Sequence, residues 1–204
     1  MNWCRLYVAA LFLSLGATAN ATVITFDSNP FKGSGALVTP GRQIVGNELF
    51  TPFDISSDVF AFNTRFFRVG DEINFANDLV ENLPASGLNV IVLQTAPIPF
   101  AAGLAANLIA EQVTSPGAGF FIYFNSGLDL PRLVYSTDLS DNTADLKILA
   151  RLTNLVGQPG RDALPTFSES NFQLVVPEPS SLLLMMAAGA FLVGSRLRHR
   201  PRRG

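Results

Sequence analysis

Gly119-Phe120-Phe121-Ile122-Tyr123-Phe124-Asn125 is the stretch that decides the architecture of this chain. Its five central residues are aromatic or β-branched, a composition that suits a pleated strand. No polar residue alternates with them, so both faces of the strand are predicted to be covered. The aromatic cluster is read as core and not as a ligand platform. Asn89-Val90-Ile91-Val92-Leu93-Gln94 has the same character. Between the two, residues 99–113 are rich in Ala and Leu and predict a helix ended by Thr114-Ser115-Pro116-Gly117. Phe100, Leu104, Leu108 and Val113 fall along one side of it. A strand–helix–strand crossover fits that order, but its connections are short. The preferred architecture is therefore mainly β: a β-sandwich-like domain with one packed helix.

Outward from this centre, apolar runs recur between Gly, Pro, Asn and Asp. Residues 23–26, 36–38, 43–45, 59–62, 66–69 and 73–75 are predicted as short strands or fragments of strands. Residues 132–136, 146–152 and 172–176 complete the set, and 163–170 reads as a surface loop before the last strand. No repeat of 20–50 residues is evident, which argues against a solenoid.

The two ends are a different matter. In residues 1–21, Arg5 supplies a positive start, residues 6–15 an apolar core of about ten residues, and Ala19-Asn20-Ala21 a small-residue cleavage site with Ala19 and Ala21 at its key positions. That pattern predicts a secretory signal peptide removed by signal peptidase, leaving a mature chain that begins at Thr22. The apolar part is too short for a spanning helix. At the other end, residues 180–195 carry no charge over 16 positions. As a helix they would reach roughly 24 Å, short of a ~30 Å hydrocarbon core, and a snorkelling Arg196 would lengthen the span. Five arginines in the final nine residues place that end on the cytoplasmic side and the preceding domain outside.

Removing both ends leaves residues 22–176, one domain by length. They hold eight basic and fifteen acidic residues, a formal charge of −7. A net-negative domain without a basic cluster is a poor partner for nucleic acid, and none is expected. The only cysteine, tryptophan and histidine are Cys4, Trp3 and His199, all outside this domain. Ser-His-Asp and Cys-His catalysis, and zinc sites built from His and Cys, therefore lack their residues. Lys32 and Lys147 stand in no Ser-x-x-Lys arrangement, and no G-x-S-x-G, Walker or dinucleotide motif is present.

Oxygen ligands remain. Asp138-Leu139-Ser140-Asp141-Asn142-Thr143-Ala144-Asp145 gathers three carboxylates, an amide and two hydroxyls in eight residues. Asp138, Asp141 and Asp145 are thus a candidate set for Ca²⁺, which takes six to eight such oxygens. The same residues suit a solvated hairpin turn, and the spacing is not that of an EF-hand. Asp54 with Asp58, and Asp71 with Glu72, are the pairs a carboxylate-based glycoside hydrolase would need. As scattered acids they read first as surface charge.

One stretch carries a resemblance. Val176-Pro177-Glu178-Pro179-Ser180-Ser181, a short Leu/Ala/Gly-rich segment and a terminal Arg cluster together resemble the PEP-CTERM sorting signal, over about residues 174–204. The resemblance implies export across the inner membrane of a Gram-negative bacterium that makes exopolysaccharide. It also implies recognition of Pro177, Glu178 and Pro179 by an exosortase, a membrane helix over 181–195 and a basic tail over 196–204. The expected function is that of a cell-surface or extracellular-matrix protein, non-catalytic and associated with exopolysaccharide. A Ca²⁺- or glycan-binding module and a carboxylate-based hydrolase are the alternatives.

Overall fold

Strand β7 (Gly119–Asn125) is buried at all seven positions, and a large sheet is assembled around it. The computed structural model describes residues 21–99 and 101–176. On one side of β7 runs β6 (Val90–Ile98), parallel to it, and beyond that β5 (Phe75–Asp78), also parallel. On the other side, β8 (Leu130–Ser136) and β9 (Leu146–Leu152) follow as antiparallel hairpin partners. Two short strands, β2 (Ile44–Val45) and β3 (Leu49–Thr51), finish that edge by pairing in parallel with β9. A second, three-stranded sheet has β4 (Val59–Asn63) at its centre. It is flanked by β1 (Val23–Phe26) and β10 (Phe172–Val175), both parallel to β4.

Alternation along the central strands divides the core in two. Val90, Val92, Phe120, Ile122, Phe124, Leu133 and Tyr135 face the small sheet, where Phe60, Phe62 and Phe172 meet them. The rings of Phe62 and Phe120 stack with centroids 3.7 Å apart, and those of Phe53 and Phe60 at 4.1 Å. Ile91, Leu93, Phe121, Tyr123 and Val134 face the other way, onto helix α1 (Ala102–Gln112). A bulge in β9 lets one strand serve both layers. The register with β8 slips between Leu133 and Val134, so Leu146 and Ile148 point to the helix while Ala150 and Leu152 point to the small sheet.

The predicted mainly-β class holds, with sheets packed face to face and helices added. Three particulars differ. First, β6, α1 and β7 do form a crossover. β6 extends to Ile98, and an 11-residue helix of about 16 Å, with residues 113–118, carries the chain back for parallel pairing. Second, α1 packs through Ala102, Ala105, Ala106, Ile109 and Val113, all buried, while Leu104 is 43 % exposed. Small residues let the helix approach the sheet closely, and Phe100 lies outside the described residues. Third, a second helix, α2 (Gly157–Ala163), and two 3₁₀ turns occupy the segment before β10. Residues 165, 166 and 168–170 are exposed, as a surface segment should be, but Leu164 and Phe167 are buried and anchor it in the core.

Residues 36–38 and 66–69 are turns, not strands. Asn63 explains the second case: its carbonyl accepts from Phe66 and Phe67, and its side chain accepts from Arg65. The chain is folded back so that Phe67 and Val69 enter the core. Among the described residues no helix is long and apolar enough to cross a membrane; residues 181–195 lie outside them.

Candidate functional site

The loop joining β8 to β9 carries the three aspartates singled out for Ca²⁺, and each has a separate task. Asp138 Oδ1 accepts from the Ser140 amide at 2.9 Å, the Ser140 hydroxyl at 2.8 Å and the Gly117 amide at 3.1 Å. Asp141 Oδ1 accepts from the amide and the hydroxyl of Thr143, each at 2.7 Å. Those two bonds, with the charge of Arg42 adding, hold the Asp141 carboxyl below its ordinary value. Asp145 is the buried member. Its Oδ1 takes the Gln43 amide at 2.7 Å and its Oδ2 the Leu37 amide at 2.6 Å. Leu37 sits in the left-handed region at φ 69°, fixed there by the carboxylate. The structure does not gather the three carboxylates. Among the described residues no group of three or more His, Cys, Asp or Glu side chains is placed to hold a metal ion.

Arg42 seats this loop on α1. Its Nε donates to the Ala144 carbonyl at 3.1 Å, and its Nη1 to the Gly103 carbonyl at 2.8 Å and to Asn107 Oδ1 at 2.7 Å. A Cβ on residue 103 would stand 3.0 Å from Nη1, a tight contact that the glycine in the first turn of the helix avoids. Between helix and loop lies an open cleft of about 390 Å³ lined by Asn107, Glu111, Ser140, Asp141 and Asn142. Amide, hydroxyl and carboxylate groups of this kind exchange hydrogen bonds with water or with a polyhydroxylated ligand.

The other acids are distributed differently from the pairs a hydrolase would use. Asp54 and Asp58 share one tight turn. Asp54 accepts from the amide and hydroxyl of Ser56, while Asp58, 7 % exposed, accepts from the Thr22 and Asp54 amides, both at 2.8 Å. Asp71 and Glu72 are exposed. The most strongly engaged acid, Glu48, carries no motif. It precedes β3, which the sequence reading missed, and its Oε1 meets Arg132 at 2.9 Å and Arg151 at 2.5 Å. The Glu48 side chain is 7 % exposed and that of Arg132 4 %. Burial pushes the Glu48 carboxyl up. Its own backbone amide, the hydrogen bond from Arg151 and the two guanidinium charges outweigh that and hold it below its ordinary value. Arg151 also lies 4.7 Å from the Phe50 ring centroid. A buried acid shared by two arginines from neighbouring strands was invisible because its partners are 84 and 103 residues away.

The polypeptide leaves the small sheet through β10, an edge strand whose last residue, Val175, is followed by an exposed Val176. At that point residues 175–200 match the family model of the PEP-CTERM protein-sorting motif. The chain carries a PEP-CTERM motif. This PEP-CTERM motif implies export, a membrane-anchored intermediate in a Gram-negative bacterium and sorting by an exosortase. Pro177, Glu178 and Pro179, at the head of the PEP-CTERM motif, lie outside the described residues, as does Ala19; Ala21 is exposed. The match covers the tail alone. Comparison with curated proteins and with solved structures found no match for the chain.

Proposed function

We propose that residues 22–176 form the cargo of this sorting system: a non-catalytic domain delivered to the cell surface or extracellular matrix, where it associates with exopolysaccharide. Signal peptidase removes residues 1–21. Residues 181–195 then hold the protein in the inner membrane with residues 196–204 on the cytoplasmic side, and the exosortase acts at Pro177-Glu178-Pro179. One observation carries this reading. The sorting motif begins at the final residue of the last strand, so the fold is complete where the signal starts. The carboxylates of Asp138, Asp141, Asp145, Asp58 and Glu48 hold backbone amides or arginines, which fits a structural role for them. The polar cleft beside α1 offers a surface for sugar hydroxyls.

Intact mass and fractionation in an exosortase-competent host and in a strain lacking the enzyme test the proposal. Loss of residues 1–21 in both strains, with loss of the tail in the competent strain alone, is the expected result. An intact tail in the membranes of both strains overturns it. Binding to exopolysaccharide is checked separately by co-sedimentation of the purified protein with polymer from the same host.

A further inference from the structure

Asp58 is buried, yet no Lys or Arg among the described residues lies within ion-pair distance of it. Among the described residues its two carboxylate oxygens accept only backbone amides, one of them from Thr22 at 2.8 Å. A buried carboxylate held by neutral donors alone is expensive, and a cation at the same distance would compensate it. Thr22 is the residue that follows Ala19-Asn20-Ala21, the small-residue site of the export signal. We propose that Asp58 is the docking site for the α-ammonium group that cleavage at Ala21 creates. The proposal rests on the export reading above.

Water adds across the Ala21–Thr22 bond. Ala21 departs with a carboxylate, and the Thr22 nitrogen gains protons to become an ammonium, its ordinary state near neutral pH for a group with pKa about 7.7–8.0. Nothing has to move. The Thr22 carbonyl accepts from the Val59 amide at 2.9 Å, which sets the nitrogen in place one residue ahead of the Val23–Val59 pairing. Thr22 is exposed, so the remaining two N–H groups face water. The amide–carboxylate hydrogen bond of the precursor becomes an ion pair in the mature chain. Its effect reaches across the small sheet. The Asp58 carbonyl accepts from Asn171 Nδ2 at 3.1 Å, and the same Nδ2 donates to the Ile55 carbonyl at 2.7 Å. Asn171 directly precedes β10, the strand from which the sorting segment departs. Removal of the export signal thus tightens the part of the fold that carries the second signal.

The test uses the exported protein purified from its host. A serine inserted between Ala21 and Thr22 moves the terminus one residue away and returns the Thr22 nitrogen to an amide. Thermal midpoints are compared for the natural chain, the insertion, Asp58→Asn and the combination, with N-terminal sequencing of each. The insertion is expected to lower the midpoint by about 3–6 °C in the natural background and to have no effect beside Asp58→Asn. Equal effects in both backgrounds, or none in either, overturn the proposal. A natural chain starting anywhere but Thr22 overturns it too, while leaving the sorting reading to its own test at the tail. Should Asp58→Asn fail to accumulate, acylation of the α-amine by acetic anhydride reads the same contact. The amine of Thr22 should react about tenfold more slowly than that of the serine-extended chain, as expected for a shift of about one pKa unit. Equal rates overturn the proposal.

Discussion

Glu48 holds two arginines with one oxygen; its side chain and that of Arg132 are shielded from water, while Arg151 stays partly exposed. Glu48→Gln would leave Arg132 buried against a neutral amide. The expected cost is about 3 kcal/mol in urea unfolding, because the substitution removes the charged acceptor that two arginines share. Its pH dependence has a definite sign. The folded carboxyl titrates below its ordinary value of 4.5, so its contribution is complete above that range and disappears as pH falls through the lowered value. Acid unfolding of the natural chain and of Glu48→Gln should therefore converge at low pH; curves that stay parallel to pH 2 would refute the assignment. Asp145 supports a second prediction. Asp145→Ala removes the acceptor of two amides, from Leu37 and Gln43, and should cost about 2–4 kcal/mol by the same assay. The identity of these residues was legible in the sequence but not their work. Asp145 sits in a loop whose composition predicts turn chemistry, and its partners lie 102 and 108 residues earlier.

Among the elements, legibility followed the number of faces that each one buries. β7 and β9 were placed to the residue: burial on both sides leaves an unbroken apolar run in β7, and in β9 only the half-buried Lys147 and Arg151 interrupt the apolar pattern. β3 escaped because Leu49 and Phe50 are exposed and its pairing depends on β9, about 100 residues later. α1 was found, and Val113 and Leu108 of its predicted face do pack against the core, but Leu104 does not. Large side chains drew attention to Leu104, while the helix seats itself through alanines and Ile109. Ile109→Ala should accordingly cost about 2–5 kcal/mol, whereas Leu104→Ala should change stability by no more than about 0.5 kcal/mol. The reverse order would restore the predicted face. α2 escaped for another reason. Its sequence, Gly157-Gln158-Pro159-Gly160-Arg161-Asp162-Ala163, has the composition of a loop. Gly160 is required there by contact, since a Cβ would lie 2.1 Å from the Leu155 carbonyl oxygen. Gly160→Ala should displace the helix at a cost of about 1–3 kcal/mol, read from the shift in denaturation midpoint.

The whole molecule is one cooperative body because its two core layers share four strands. β6, β7, β8 and β9 each supply residues to both layers, so neither layer can open without exposing the other. The tyrosines make this measurable. Tyr123 lies in the layer under α1 and Tyr135 in the layer between the sheets; residues 22–176 contain no other tyrosine and no tryptophan. Tyr123→Phe and Tyr135→Phe variants of the processed protein therefore each report one layer by fluorescence, and their thermal midpoints should coincide with that of far-UV circular dichroism. Midpoints that separate would mean that the layers melt independently. At this scale the layered, mainly-β plan was predictable from residues 89–94 and 119–125, but the parallel small sheet was not. Its strands come from residues 23–26, 59–63 and 172–175, and no local pattern announces a pairing of that range. That small sheet also has a mechanical side. β10 lies parallel to β4 over four paired positions, and its last residue, Val175, is where the matched sorting motif begins. A pull on Val175 along the strand axis would load the hydrogen bonds of the ladder together in shear, whereas a hairpin end would peel open one bond at a time. A domain tethered by its last strand in this way resists being drawn apart by its own leash.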